Sequence, residues 1–283
     1  MNKQLSLAGG GIILLASLFF FGSTVEKKTT RSSTASPQSA VQSFNITDYI
    51  SQLKQKLTSS QILSLSKIEH SVTRGDVLNQ QVAANKQLAD FWKDSVHAFE
   101  PYIYYLSQSV KLENSEKNLT FAAQLILDNL RGEQDPVKLS WQTDQAVELF
   151  EQAIKLNPES DDLKIGLGSC YIYGKGRTGR PEETMKGIQQ ILAVVKKDSS
   201  NMKAQMALGV GGYVSGQYDK AIDRLTKVTQ AEPNNLEAIE FLALSFAAKG
   251  EKAEAIKWYQ VMKRKANDPE YDNEIDKRIK LLQ

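Results

Sequence analysis

Four segments in the second half of the chain carry one spacing, and that spacing constrains the fold more than any other feature. In QAVELFEQAIKLNP the positions are Ala146, Phe150, Ala153 and Pro158, and in KGIQQILAVVKKDS they are Gly187, Ile191, Val194 and Ser199. In KAIDRLTKVTQAEP they are Ala221, Leu225, Val228 and Pro233, and in EAIKWYQVMKRKAN they are Ala255, Tyr259, Met262 and Asn267. The offsets of four, three and five residues recur each time. The copies at 187, 221 and 255 start 34 residues apart, whereas 146 to 187 is 41, a seven-residue insertion. A fixed period of this size marks a stack of repeated supersecondary units.

Each segment after the first has a partner stretch ahead of it: Leu167-Gly168 with Tyr171, Leu208-Gly209 with Tyr213, and Leu242-Ala243 with Phe246. Short turns, GQYDKA at 216–221 and GEKAEA at 250–255, join the last two pairs. The pattern resembles the tetratricopeptide repeat, W-x2-L-G-x2-Y…A-x3-F…P over 34 residues. The resemblance covers about residues 115–267. The Trp is missing throughout, and Asn267 stands where the last copy would have Pro. The resemblance implies an all-α superhelix of hairpins. A small residue early in each second helix lets the hairpin close, and the large residue four later fills the space between hairpins. No single hairpin buries its apolar face alone, so neighbours supply the core and the ends need caps.

The rest of the chain follows the same helical period. Tyr49, Ile50, Leu53 and Leu57 share one face, as do Ile62, Leu65, Ile68 and Val72 in a helix that Gly75 ends. Val77–Val96 continues as a helix, Pro101 opens another, and LTFAAQLILDNL forms the next, ended by Arg131 and Gly132. No alternating strand pattern occurs. The expected organisation is an N-terminal transmembrane anchor at 1–25, a flexible linker at 26–46, an N-terminal helical region at 47–114, the repeat array at 115–267 and a C-terminal capping helix at 268–283. Tyr271, Ile275, Ile279 and Leu282 form the apolar stripe of that cap.

The anchor rests on LSLAGGGIILLASLFFFGSTV, Leu5 to Val25, which carries no charge. As a helix it measures roughly 30 Å, the thickness of a bilayer's hydrocarbon core. It ends in Phe19, Phe20 and Phe21 with a poor small-residue site after them, which favours an uncleaved anchor over a cleaved leader. No cysteine follows it, so lipoprotein anchoring is excluded. Lys3 ahead of the run places the N-terminus inside and the bulk in the periplasm, while Lys27, Lys28 and Arg31 pull the other way. The single-pass, periplasmic orientation is the expectation. Ser, Thr and Pro37 between Glu26 and Ser43 make a spacer.

Composition narrows the function. Basic and acidic residues number 35 and 33 and are intermixed, so no stripe for nucleic acid stands out. One cysteine, Cys170, excludes an internal disulfide, and with His70 and His97 it falls short of a Cys/His zinc site. GKGRTG, Gly174 to Gly179, spells a dinucleotide-loop pattern but follows a helix and lies in the insertion, so it reads as a lengthened loop rather than a nucleotide site. No cofactor, metal or catalytic group is expected, and the chain reads as a non-enzyme. An enzyme would need an unrecognised site among the N-terminal helices.

In the family that the chain resembles, the first helix of each repeat lines a concave groove. The resemblance places Asp162, Ile165, Ser169, Ile172 and Tyr173 there, then Lys203, Met206, Val210 and Tyr213, then Glu237, Glu240 and Leu244. Members that grip a peptide's terminal carboxylate use Lys and Asn at set places. Here those places hold Ile165, Ser169, Met206 and Val210, so that clamp is absent. An apolar groove with Met and Tyr suits a helical or extended segment of a protein partner. The expected function is a membrane-tethered scaffold or adaptor. An assembly subunit of an envelope complex, similar to membrane-anchored repeat proteins of cytochrome c maturation, is the alternative.

Overall fold

The structure, a computed structural model, describes residues 43–73 and 77–283. The anchor expected at Leu5–Val25 and the helix end expected at Gly75 lie outside the described residues. Among the described residues no helix is long and apolar enough to cross a membrane.

Thirteen α-helices and no strand occur among the described residues. They are α1 (Ile46–Lys54), α2 (Ser59–Thr73), α3 (Leu78–Asp90), α4 (Phe99–Glu113), α5 (Glu116–Leu130), α6 (Pro136–Leu156) and α7 (Asp161–Tyr173). There follow α8 (Pro181–Lys197), α9 (Met202–Val214), α10 (Tyr218–Ala231), α11 (Leu236–Lys249), α12 (Lys252–Ala266) and α13 (Pro269–Leu282). Consecutive helices pair most closely as α3/α4, α5/α6, α7/α8, α9/α10 and α11/α12. The result, among the described residues, is an all-α stack of five hairpins.

The spacing read from sequence is the packing register. Ala146, Phe150, Ala153, Ile191, Val194, Ala221, Leu225, Val228, Ala255, Tyr259 and Met262 are all at most 2% exposed. The small position sets how closely a hairpin closes. A Cβ on Gly187 would lie 2.4 Å from the carbonyl oxygen of Gly168, so α7 and α8 cross at nearly bare backbone. The fourth position faces solvent and ends the helix. Asn267 does this without Pro by taking a left-handed conformation (φ 50°), which Asn tolerates better than most residues.

A further periodicity lies in the caps. Ser160, Asn201 and Asn235 precede α7, α9 and α11, and each side-chain oxygen accepts from the backbone N–H three residues on. These satisfy donors that every helix start leaves open. Their spacings, 41 and 34 residues, repeat those of the packing register.

One continuous core runs from Ile103 on α4 to Leu242 on α11. A second cluster joins Ile50, Leu65, Leu88, Phe91 and Trp92 under α1 to α3. Between α3 and α4 the chain makes a π-helical turn, Phe91–Val96, closed by His97 at φ 57°. The aromatics of FWKDSVHAFEPYIYYL thus divide between the two cores, with Phe91 and Trp92 in the second and Phe99 against the first. Lys138 on α6 pairs at 2.8 Å with Glu100 on α4 and lies over the ring of Tyr49 on α1, tying the N-terminal helices to the stack. At the other end Ile275 of α13 packs with Ile239, Ala243, Tyr259 and Met262. The stripe of α2 is not uniformly buried. Leu65 is buried, but Ile62, on the first turn of α2, is 49% exposed because it lies beyond the edge of that cluster.

The insertion is built into the stack and is not a free solvated loop. Its short 3₁₀ turn, Lys175–Thr178, lies between α7 and α8. Arg177 donates to the carbonyls of Leu130, Arg131 and Glu133 at 2.7, 3.3 and 3.3 Å. A cation thus caps the open carbonyls at the end of α5. Lys175 pairs with Asp144 on α6 at 2.5 Å.

Candidate functional site

The first helices of the hairpins, α5, α7, α9 and α11, line two hollows on one side of the stack. No residue before Lys117 lines either one, so the helices of 46–113 leave this surface uncovered among the described residues.

The first hollow has a volume of about 650 Å³, within the range of roughly 300–1,000 Å³ typical of ligand pockets. Its apolar lining comes from Leu127 on α5, Phe150 on α6, Ile165 on α7, and Met202, Met206 and Ala207 on α9. Gly166 makes this lining possible, since a Cβ there would lie 2.4 Å from the Phe150 ring. Phe121 stands on the wall with 60% of its surface exposed, an unusual placement for a large aromatic. Lys203 and Asp162 pair at 3.0 Å on the rim, both well exposed, so the pair contributes little to stability.

The second hollow, about 390 Å³, is lined by Val210, Tyr213 and Val214 of α9 and by Phe241 and Leu244 of α11. Tyr213 and Phe241 meet edge to face at 5.6 Å between ring centres. Glu240 on its rim is held by Arg278 of α13 at 2.6 Å.

A polar bridge separates the two. Arg131, at the end of α5, lies 4.9 Å over the Tyr173 ring and contacts Oε1 of Glu237 at 3.2 Å. The Tyr173 hydroxyl donates to the same oxygen at 2.8 Å. Burial raises the Tyr173 phenol's pKa, and the nearby Glu237 carboxylate raises it further. The phenol therefore stays a donor.

Of the residues placed on the groove from sequence, Ile165, Ser169, Lys203 and Met206 line the first hollow. Val210, Tyr213, Glu237, Glu240 and Leu244 line the second, and Tyr173 borders both. Ile172 is corrected: it is 0% exposed and belongs to the core. It contacts the Gly187 and Gly211 positions, because helix α7 is buried on nearly every side, and the edge that borders the hollows carries Asp162, Ile165, Ser169 and Tyr173 instead. Sequence reasoning missed Phe121, Leu127, Arg131 and Phe241. The signal for α5 was present as a stripe at Lys117, Phe121, Gln124, Asp128 and Arg131, spaced three and four residues apart.

Cys170 is 0% exposed, and burial raises its thiol pKa, so it carries no thiolate reactivity. His70 and His97 are exposed on separate segments. Among the described residues no three His, Cys, Asp or Glu side chains are grouped to hold a metal ion.

The tetratricopeptide-repeat family model matches residues 215–273. The human tetratricopeptide repeat protein 6 is 27% identical over 97 residues, which is 34% of this chain and 18% of that protein, so the match spans a minor part of the relative. Among solved structures, MamA from Desulfovibrio magneticus RS-1 is 16% identical with a TM-score of 0.46, covering 68% of this chain and 98% of that one. YrrB, described as a TPR protein with an unusual peptide-binding site, is 16% identical with a TM-score of 0.43, covering 71% and 98%. The chain is an all-α stack of helical hairpins, and the tetratricopeptide-repeat family model matches its residues 215–273.

Proposed function

We propose that this chain is a non-enzymatic scaffold, tethered to a membrane by residues 5–25 with its repeats in the periplasm, and that the first hollow receives an apolar segment of a protein partner. The observation that carries the binding reading is Phe121, held 60% exposed on the wall of a hollow lined by Leu127, Phe150, Ile165 and Met206. Exposing a large ring beside an apolar surface costs the free chain burial that a partner's side chains restore. The volume accommodates a few side chains, so the segment inserts anchors rather than its whole girth. The tether reading is supported by the uncharged run from Leu5 to Val25.

A photo-crosslinking residue at Lys203 of the full chain in native membranes tests the binding reading, with one at Gln189 on α8 as control. A discrete product is expected from 203 and none from 189, and Phe121→Glu is expected to remove it without changing the melting curve. Equal products from both positions, or a product indifferent to Phe121→Glu, would sink the hollow as the binding site. Deleting residues 1–25 is expected to release the chain from the membrane fraction. Protease is expected to reach the repeats in spheroplasts; protection there would place them on the other side.

A further inference from the structure

A third hollow, about 280 Å³, lies away from the first two, between the end of α8 and helix α10. Ala221, Leu225 and Val228 turn the core face of α10 inward at 0% exposure, and Lys220, Asp223, Arg224 and Lys227 line this hollow. Arg224 is fixed from beneath. One terminal nitrogen, Nη1, donates to Oε1 of Gln205 at 2.8 Å. Gln205 is itself 2% exposed and donates through Nε2 to the Ser199 carbonyl at 2.8 Å.

That geometry leaves Nε and Nη2 of the guanidinium without a hydrogen-bond partner among the described residues, on a side chain that lines the hollow. These two nitrogens form the fork that takes a carboxylate through two parallel bonds. Partial burial lowers the Arg224 pKa, with Asp223 opposing it, so the cation is desolvated with no ion-paired acid. Lys227 likewise makes no ion pair among the described residues, and Lys220 donates only to the neutral Gln217 at 2.7 Å. Asp223 is the one carboxylate on the lining, so the hollow is net positive.

We infer that this row on α10 docks an acidic segment of a partner protein. Arg224 takes one carboxylate side-on, and Lys220 and Lys227 take carboxylates on either side. The three cations extend over roughly 10 Å of helix, which suits acids in series at three- and four-residue spacing better than a single small anion. The Asp223 carboxylate repels a phosphate dianion more strongly than it repels single carboxylates. The surface is independent of the first hollow, so the two readings stand or fall separately.

The test titrates the full chain with a labelled helical peptide bearing three Glu at those spacings, and with its Gln counterpart. The Glu peptide is expected to bind, more weakly as salt rises, and the Gln peptide to bind at least ~10-fold more weakly. Arg224→Gln is expected to lower affinity ~10-fold, and the exposed Lys227→Gln ~3-fold with an unchanged melting curve, while Lys257→Gln on α12 has no effect. Equal affinity for the two peptides, or no loss in either α10 variant, overturns the inference. So does Arg224-dependent binding of inorganic phosphate, of phosphatidylserine vesicles or of a second copy of the chain without binding of the Glu peptide.

Discussion

The Tyr173 hydroxyl, in the last turn of α7, donates a 2.8 Å hydrogen bond to Glu237, in the first turn of α11, across a separation of 64 residues. With Arg131 stacked over the ring and pairing with the same carboxylate oxygen, three hairpins meet at one point of the concave surface. The groove is therefore divided at rest. A partner confined to the first hollow leaves the bridge intact, whereas one spanning both hollows has to displace it.

The bridge is a measurable coupling. Tyr173→Phe removes the donor but keeps the ring beneath Arg131, and Glu237→Gln removes the charge that both partners use. Each is expected to destabilise by about 1.5–3 kcal/mol, the range for a hydrogen bond to a charged group. Together they should cost less than the sum by about 0.5–1 kcal/mol, because either alone already breaks the contact. Urea denaturation of the four chains reads this directly. Strict additivity would mean that the two side chains do not act on one another.

The close crossing of α7 and α8 gives a second expectation. Gly187→Ala places a methyl group where the Gly168 carbonyl lies at 2.4 Å, and backbone cannot swing away as a flexible side chain can. The helices must separate, at about 1–3 kcal/mol, even though Ala is the better helix former by ~1 kcal/mol. Gly132→Ala, whose new methyl meets only the Asn129 carbonyl at 3.9 Å, is the control and should be near neutral. Thermal melts of both variants decide it.

Arg177 makes the insertion part of the fold. Arg177→Ala leaves the Leu130, Arg131 and Glu133 carbonyls without their cation, and should cost about 1–2 kcal/mol. The effect should concentrate locally, as faster hydrogen exchange across 174–180 and at the end of α5. Uniform exchange rates in mutant and wild type would show that the loop is held by other contacts.

The packing register was legible because the small residue of each second helix and the large one four later have a single use: a Cβ at Gly187 and the ring of Phe150 either fit or do not. The groove was legible only in part. Ile165, Met206 and Tyr213 follow from the register, but Ile172 sits one residue from Tyr173 and points to the core instead, a distinction that depends on how α7 rotates against α9. Arg131 and Arg177 could not be placed from sequence. Arg131 crosses to hairpins far along the chain, and Arg177 acts through an insertion for which the repeat offers no template. The caps at Ser160, Asn201 and Asn235 were readable at the same 41- and 34-residue spacings, and they mark the starts of α7, α9 and α11 independently of the register.

Alkaline pH should loosen the N-terminal helices. Tyr105, on α4, packs against the cluster of Ile50, Leu65, Leu88, Phe91 and Trp92. Burial, with Glu69 nearby, pushes its phenol from the ordinary value near 10 up to about 12. The folded state thus holds the proton more tightly than the unfolded state. The stabilisation is fully present below about pH 10, declines as pH rises, and is gone above about pH 12. Two pKa units correspond to ~2.7 kcal/mol, which partial exposure of the ring reduces to about 1–2 kcal/mol. Urea midpoints at about pH 9 and about pH 11.5 should therefore fall further in wild type than in Tyr105→Phe, which has no proton to lose. An identical fall in the two chains would mean that Tyr105 ionises as freely in the fold as in water.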